Sequence, residues 1–221
     1  MENHRSSSQG SRKQGLELPY KLAREQLAKI SDIEDQCRKS GARYLGPHEI
    51  VINYLNQPYH ISLPDVEISL DDSPDSIEIE VPLRDKILIM HYFTLAKGTP
   101  TLGRLITYKQ IPGGVSYFPA FSQRAIAPLV KNFGKNPELM IKVAVTLGGC
   151  EADYGDVSVI IHAFDRVPVT LVLWRGDEEL APNGNILFNA NVSDYLSTED
   201  VAVLSETIIW RLVRGIPSNL T

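Results

Sequence analysis

The sequence predicts an α+β fold, an antiparallel sheet with helices packed around a buried central helix, and three patterns carry that prediction. Residues 81–98, VPLRDKILIMHYFTLAKG, put large apolar side chains on nearly every side of a helix drawn at about 100° per residue. Leu83, Ile87 and Met90 fall on one side, Ile89 and Phe93 on a second, Leu88 and Leu95 on a third. A helix apolar nearly all round is a buried one. Period-two alternation marks half-exposed strands before this helix, and two runs rich in Val, Ile and Leu mark strands after it. The third pattern is a well-capped amphipathic helix near the C-terminus, begun by Ser197.

Taken in order, residues 1–17 mix Ser, Gly, Arg and Lys with almost nothing apolar. They cannot repay the entropy of ordering and read as a disordered polar tail, leaving residues 18–221 as a single α+β domain. Pro19 opens a helix with Tyr20, Ala23, Leu27 and Ile30 on one face, and Ser31 with Glu34 makes a capping box for a second helix that stops at Gly41. Residues 48–55 and 59–63 read as strands around an Asn56-Gln57-Pro58 turn, followed by strands at residues 66–70 and 77–81. Pro82 then suits the first position of the central helix and Gly98 the residue past its end.

Residues 104–111 carry signals for both a strand and a short helix. Pro112-Gly113-Gly114 is a turn, and the aromatic run from Tyr117 to Phe121 leads into a helix toward Phe133, interrupted near Pro128. A helix over residues 137–147 ends at Gly148-Gly149. Residues 157–163, 169–174 and 185–188 are strands. The last helix carries Val201, Leu204, Ile208 and Leu212 in one stripe and leaves Trp210 on the opposite side, near Val203 and Val213.

Composition narrows the function classes. A net charge of −5 argues against nucleic acid as a partner, since binding a phosphate backbone needs a Lys/Arg excess on one face. Cys37 and Cys150 lie far apart and form neither a disulfide framework nor a zinc spacing. No apolar run is long enough to span a bilayer and no leader pattern opens the chain, so the expectation is a soluble, cytoplasmic protein with no membrane span.

Several stretches together, PLRDKILIMHYFTLAKGTP, PGGVSYFPAF, DYGDVSV, VPVTLVLWRGDEE and STEDVAVL, resemble an uncharacterised family of anaerobic bacteria and archaea, domain of unknown function 3786. The resemblance runs from Pro19 to Arg214. Some members also carry a four-cysteine iron–sulfur module of the kind found beside corrinoid proteins, which this sequence lacks. The resemblance implies a corrinoid or one-carbon setting by association only, and supplies no catalytic residues to carry over.

The residues offer three candidate sites. His91 lies between Ile87 and Leu95 on the helical projection, where an imidazole can orient or ligate a tetrapyrrole, although hydrogen-bonded core histidines are commoner. With Tyr92, Tyr117, Phe118, Trp174 and Arg175 it would enclose a small or tetrapyrrole-like molecule, Arg175 reading equally as an anion clamp or as a strand-end partner of a neighbouring acid. His60 and His162 have no partner at metal-ligand spacing, so no metal site is assigned. Asp153 and Asp156, with Asp177 and Glu178, flank strand ends and could divide acid and base roles as a hydrolase or transferase, against the plainer reading as turn chemistry. Trp210 on the outer side of the last helix suggests a protein partner. The leading expectation is a non-catalytic ligand-binding or accessory domain, with the carboxylate enzyme and the adaptor as rivals.

Overall fold

A computed structural model describes residues 3–70 and 80–217, with side chains from Gly15 onward. The chain divides into two compact units, one of Met1–Ile52 with Gln57–Gly98, the other of Asn53–Asn56 with Thr99–Thr221. Helices and antiparallel sheets build both, so the α+β class holds.

The first unit opens with α1 (Asn3–Leu27), which runs through Pro19 where the sequence predicts a start. The expected polar tail falls largely on residues whose side chains lie outside the described set. α2 (Ile33–Ser40) is capped by Asp32, whose carboxylate accepts the Asp35 N–H at 2.8 Å, one residue beyond the predicted Ser31. It ends at Gly41, whose φ of 81° is the left-handed conformation that lets the following chain turn away. Strands β1 (Arg43–Gly46), β2 (Glu49–Tyr54), β3 (Gln57–Ser62) and β4 (Glu67–Leu70) form one sheet in that order. The β2–β3 turn is Leu55-Asn56, with φ of 49° and 64°, a tighter two-residue turn than the predicted three-residue one. Of the predicted strand at residues 77–81, all but the last two lie outside the described residues.

The segment predicted as the hub is α3 (Leu83–Leu95), a helix of the first unit. Ile87, Leu88, Ile89, Met90, Tyr92 and Phe93 are buried, and the helix packs against α1 and α2. Leu95, however, is 42% exposed, so the apolar surround is incomplete at the C-terminal turn. The orphan carbonyls of that end are met by buried Gln36, whose Nε2 donates to Phe93 O and, at 3.0 Å, to Ala96 O. The Tyr92 phenol donates to Ser40 O and so ties α3 to the end of α2.

The second unit has its own core, built on a five-stranded antiparallel sheet. The undecided segment at residues 104–111 is both elements in succession: β5 (Leu105–Thr107), then one 3-10 turn over Tyr108–Gln110. α4 (Gly114–Phe121), a five-residue π turn over Ser122–Ile126 and α5 (Ala127–Phe133) follow without a break. α6 (Glu138–Ala144) leads through a 3-10 turn to β6 (Cys150–Ala152), β7 (Val157–Phe164), β8 (Val167–Trp174) and β9 (Asn183–Asn189). The spatial order is β5-β9-β8-β7-β6. α7 (Thr198–Arg214) closes the unit with a Ser197/Asp200 capping box, and its predicted stripe of Val201, Leu204, Ile208 and Leu212 is fully buried. Among the described residues no helix is long and apolar enough to cross a membrane.

Candidate functional site

The second unit carries a groove of about 300 Å³ over α4, the π turn and the start of β9. Its walls follow from local sequence. Thr107 caps the 3-10 turn, its N–H donating to Gln110 Oε1 at 2.8 Å, and the Ile111 N–H closes the turn on Tyr108 O at 3.2 Å. Gly113, with φ of 75°, then reverses the chain into α4. Gly114 packs so closely that a Cβ there would lie 2.0 Å from Tyr108 O. The chain therefore folds back on itself over six residues, and Lys109 is delivered above α4. Its Nζ sits 4.1 Å from the centroid of the Phe118 ring, a cation–π contact.

Phe118 is held from below. Its ring lies 6.3 Å from that of Phe121, which stacks on buried Tyr108 at 4.0 Å with the planes 4° apart. The Tyr108 phenol donates to Thr198 O at 3.0 Å, and burial pushes its pKa above the ordinary tyrosine value. Beyond Phe121 the helix widens. The Ala127 N–H bonds Ser122 O, five residues back, because Pro128 has no N–H to give and its ring cannot sit against a normal turn. The sequence places an interruption at Pro128; the structure resolves it as a π turn that carries Ser122 and Ile126 into the groove wall. Asn183 and Asn185 of β9 supply the opposite side.

Of the six side chains that the sequence groups around a ligand, His91 and Tyr92 belong to the first unit and the other four to the second. His91 is half-buried on α3 and Tyr92 is buried against Ser40. Phe118 lines the groove. Trp174, 39% exposed, stands opposite Asn183 in the β8–β9 ladder, beside the same wall. Tyr117 is 56% exposed on α4. Arg175 lies instead in a shallow depression of about 470 Å³ against the residue 176–182 loop, paired with Glu138, whose carboxyl it holds below the ordinary range.

The two acidic turns do meet at one end of the sheet, since Val157 pairs with Leu173. Two of the four carboxylates, those of Asp156 and Asp177, serve the turns themselves. Asp156 Oδ2 accepts the Arg175 N–H at 2.8 Å. Asp177 Oδ1 accepts the N–H groups of Leu180 at 2.7 Å and Glu179 at 2.8 Å, and these bonds hold its pKa below the usual carboxylate value. Asp177 and Glu178 line the 470 Å³ depression; Asp153 and Asp156 are not among its walls. Among the described residues no group of three His, Cys, Asp or Glu side chains is placed to hold a metal ion. His60 faces Glu49, Nδ1 to Oε1 at 2.7 Å, and His162 is exposed on β7.

Lys109, Ser122, Asn183 and Asn185 escape a reading of the sequence alone. They lie in three separate segments and share no spacing motif. The available signal was the pair of prolines, Pro119 and Pro128, inside one aromatic helix, which demands a distortion somewhere between them.

No curated protein and no solved structure is significantly similar to the chain. A family model described as Domain of unknown function (DUF3786) matches residues 32–211, from the N-cap of α2 into the last turn of α7, and the chain belongs to that family.

Proposed function

We propose that this chain is a non-catalytic ligand-binding domain whose site is the groove of the second unit. The observation that carries this reading is the coincidence of three features at one place: a concavity within the size range of small-molecule sites, an aromatic floor, and a π turn in its wall. π turns cost hydrogen-bond geometry and are frequent at functional sites. The side chains facing the groove offer binding and orientation rather than a nucleophile with an activating base.

The test is a titration of the ¹⁵N-labelled full chain with a mixed fragment set, with cobalamin and haem as separate arms because of the corrinoid association. The reading expects saturable shifts centred on Lys109, Phe118, Ser122 and Asn185. Shifts centred elsewhere, or none with any probe, contradict it. A second reading, a protein-binding face on α7, is favoured by Trp210, which is 43% exposed beside half-buried Val203 and Val213. Sedimentation of the wild-type chain and Trp210→Ala over a range of concentrations tests it, with concentration-dependent association lost in the variant as the expected result.

A further inference from the structure

We infer that the groove selects small organic anions, a carboxylate or a phosphate joined to a flat apolar body; this rests on the groove being the ligand site. Among the described residues Lys109 pairs with no carboxylate, its contact being the Phe118 ring. In a chain of net charge −5, an ammonium left without an acid at the mouth of a groove is an uncompensated local charge.

The two asparagines point the same way. Asn183 Oδ1 accepts the Gly184 N–H at 2.8 Å and Asn185 Oδ1 accepts the Ile186 N–H at 2.9 Å. One lone pair of each carboxamide oxygen is thus turned to the backbone, and the NH₂ of each remains as a donor. Ser122 adds a hydroxyl that can donate. The rim thus brings one cation together with several groups able to donate, which suits an acceptor-only headgroup such as an ionised carboxylate or a phosphate. The floor is different in kind. Phe118 and Ile126 are half-buried apolar surfaces, and the face of Phe118 is open to a flat partner once Lys109 swings off the ring to meet the anion. A headgroup on Lys109 with its body over Phe118 uses both halves of the groove.

The experiment measures the affinity of the full chain for benzoate, phenyl phosphate, benzamide and inorganic phosphate by NMR titration, in wild type, Lys109→Gln and Phe118→Leu. The expected result is that benzoate or phenyl phosphate binds at the groove at least about tenfold more tightly than benzamide, and that Lys109→Gln removes this preference, as a charge-assisted hydrogen bond is lost. Which of the two anions binds better identifies the headgroup. Phe118→Leu and removal of the ring, as in inorganic phosphate, each weaken binding severalfold. Raising the salt concentration weakens the anions and leaves benzamide unchanged. If benzamide binds at the groove as well as benzoate, or if Lys109→Gln binds the anions like wild type, the anion assignment is overturned while the ligand site stands. If no fragment of any charge binds at the groove, the site itself is refuted.

Discussion

Tyr108 and Phe121 stack face to face, ring centroids 4.0 Å apart and planes 4° from parallel, and this pair is the platform on which the groove is built. Both residues are buried, and Phe118 leans on Phe121 above them. Phe121→Ala removes the upper ring and leaves a cavity, so it is expected to cost about 3–5 kcal/mol in urea unfolding. Tyr108→Phe keeps the ring and loses only the hydroxyl donated to Thr198 O. It is expected to cost about 0.5–1.5 kcal/mol. Equal losses from the two substitutions would contradict the platform.

Gly114 tests how tightly the chain closes behind the groove. A methyl group there collides with Tyr108 O, a backbone atom that cannot swing aside. Gly114→Ala is therefore expected to destabilise by about 1–3 kcal/mol, despite alanine's better helix propensity. Circular dichroism melts showing a stabilised variant would show that the approach is looser than described.

In the first unit, Leu88→Ala and Leu95→Ala separate the buried and exposed faces of α3. Leu88 is 1% exposed and its truncation is expected to cost about 2–5 kcal/mol, whereas Leu95, 42% exposed, should cost no more than about 1 kcal/mol. Denaturant midpoints of the two variants decide it.

The cysteines differ in reactivity and in pH dependence. Cys150 is exposed and Cys37 is buried, with burial pushing the Cys37 thiol up from about 9 to about 11. A thiol-specific reagent should label Cys150 rapidly and Cys37 only on unfolding. Between pH about 9 and about 11 the unfolded chain releases the Cys37 proton while the folded one keeps it, so stability falls as pH rises through that window. Cys37→Ala should flatten the fall without changing stability's dependence on pH below it. Burial raises Tyr108 and Tyr195 in the same direction from about 10, so Cys37→Ala should keep a residual slope that begins near pH about 10, inside the same window.

Much of the fold was legible because it rests on periodicity and caps. α7 is the clearest case: its acidic first turn, its four-residue stripe and its stop at Gly215 are all local signals, and all are found where the pattern puts them. β7 and β8 were visible as apolar runs for the same reason. The short strands β1 and β6 were not, since three or four residues with exposed side chains carry no pattern and are strands only through their partners Val51 and Ile160. The hairpin turn was misplaced because Leu55 is a poor choice for positive φ; its N–H is held by Ala163 O, a partner more than a hundred residues away in sequence. Periodicity also reports that α3 is buried without reporting in which unit. The groove was the least legible feature. Phe118 could be nominated as an aromatic, but Lys109 reaches it through the tight return at Gly113-Gly114, and Asn185 through strand order, neither of which a linear pattern encodes.

The central claim is that the groove over Phe118 takes up a small molecule, and it is tested most directly by intermolecular nuclear Overhauser effects between bound benzoate and the protein. The account predicts cross-peaks from the benzoate ring protons to the Phe118 ring and the Ile126 methyl groups. Saturable binding with cross-peaks only to residues outside the groove would contradict it.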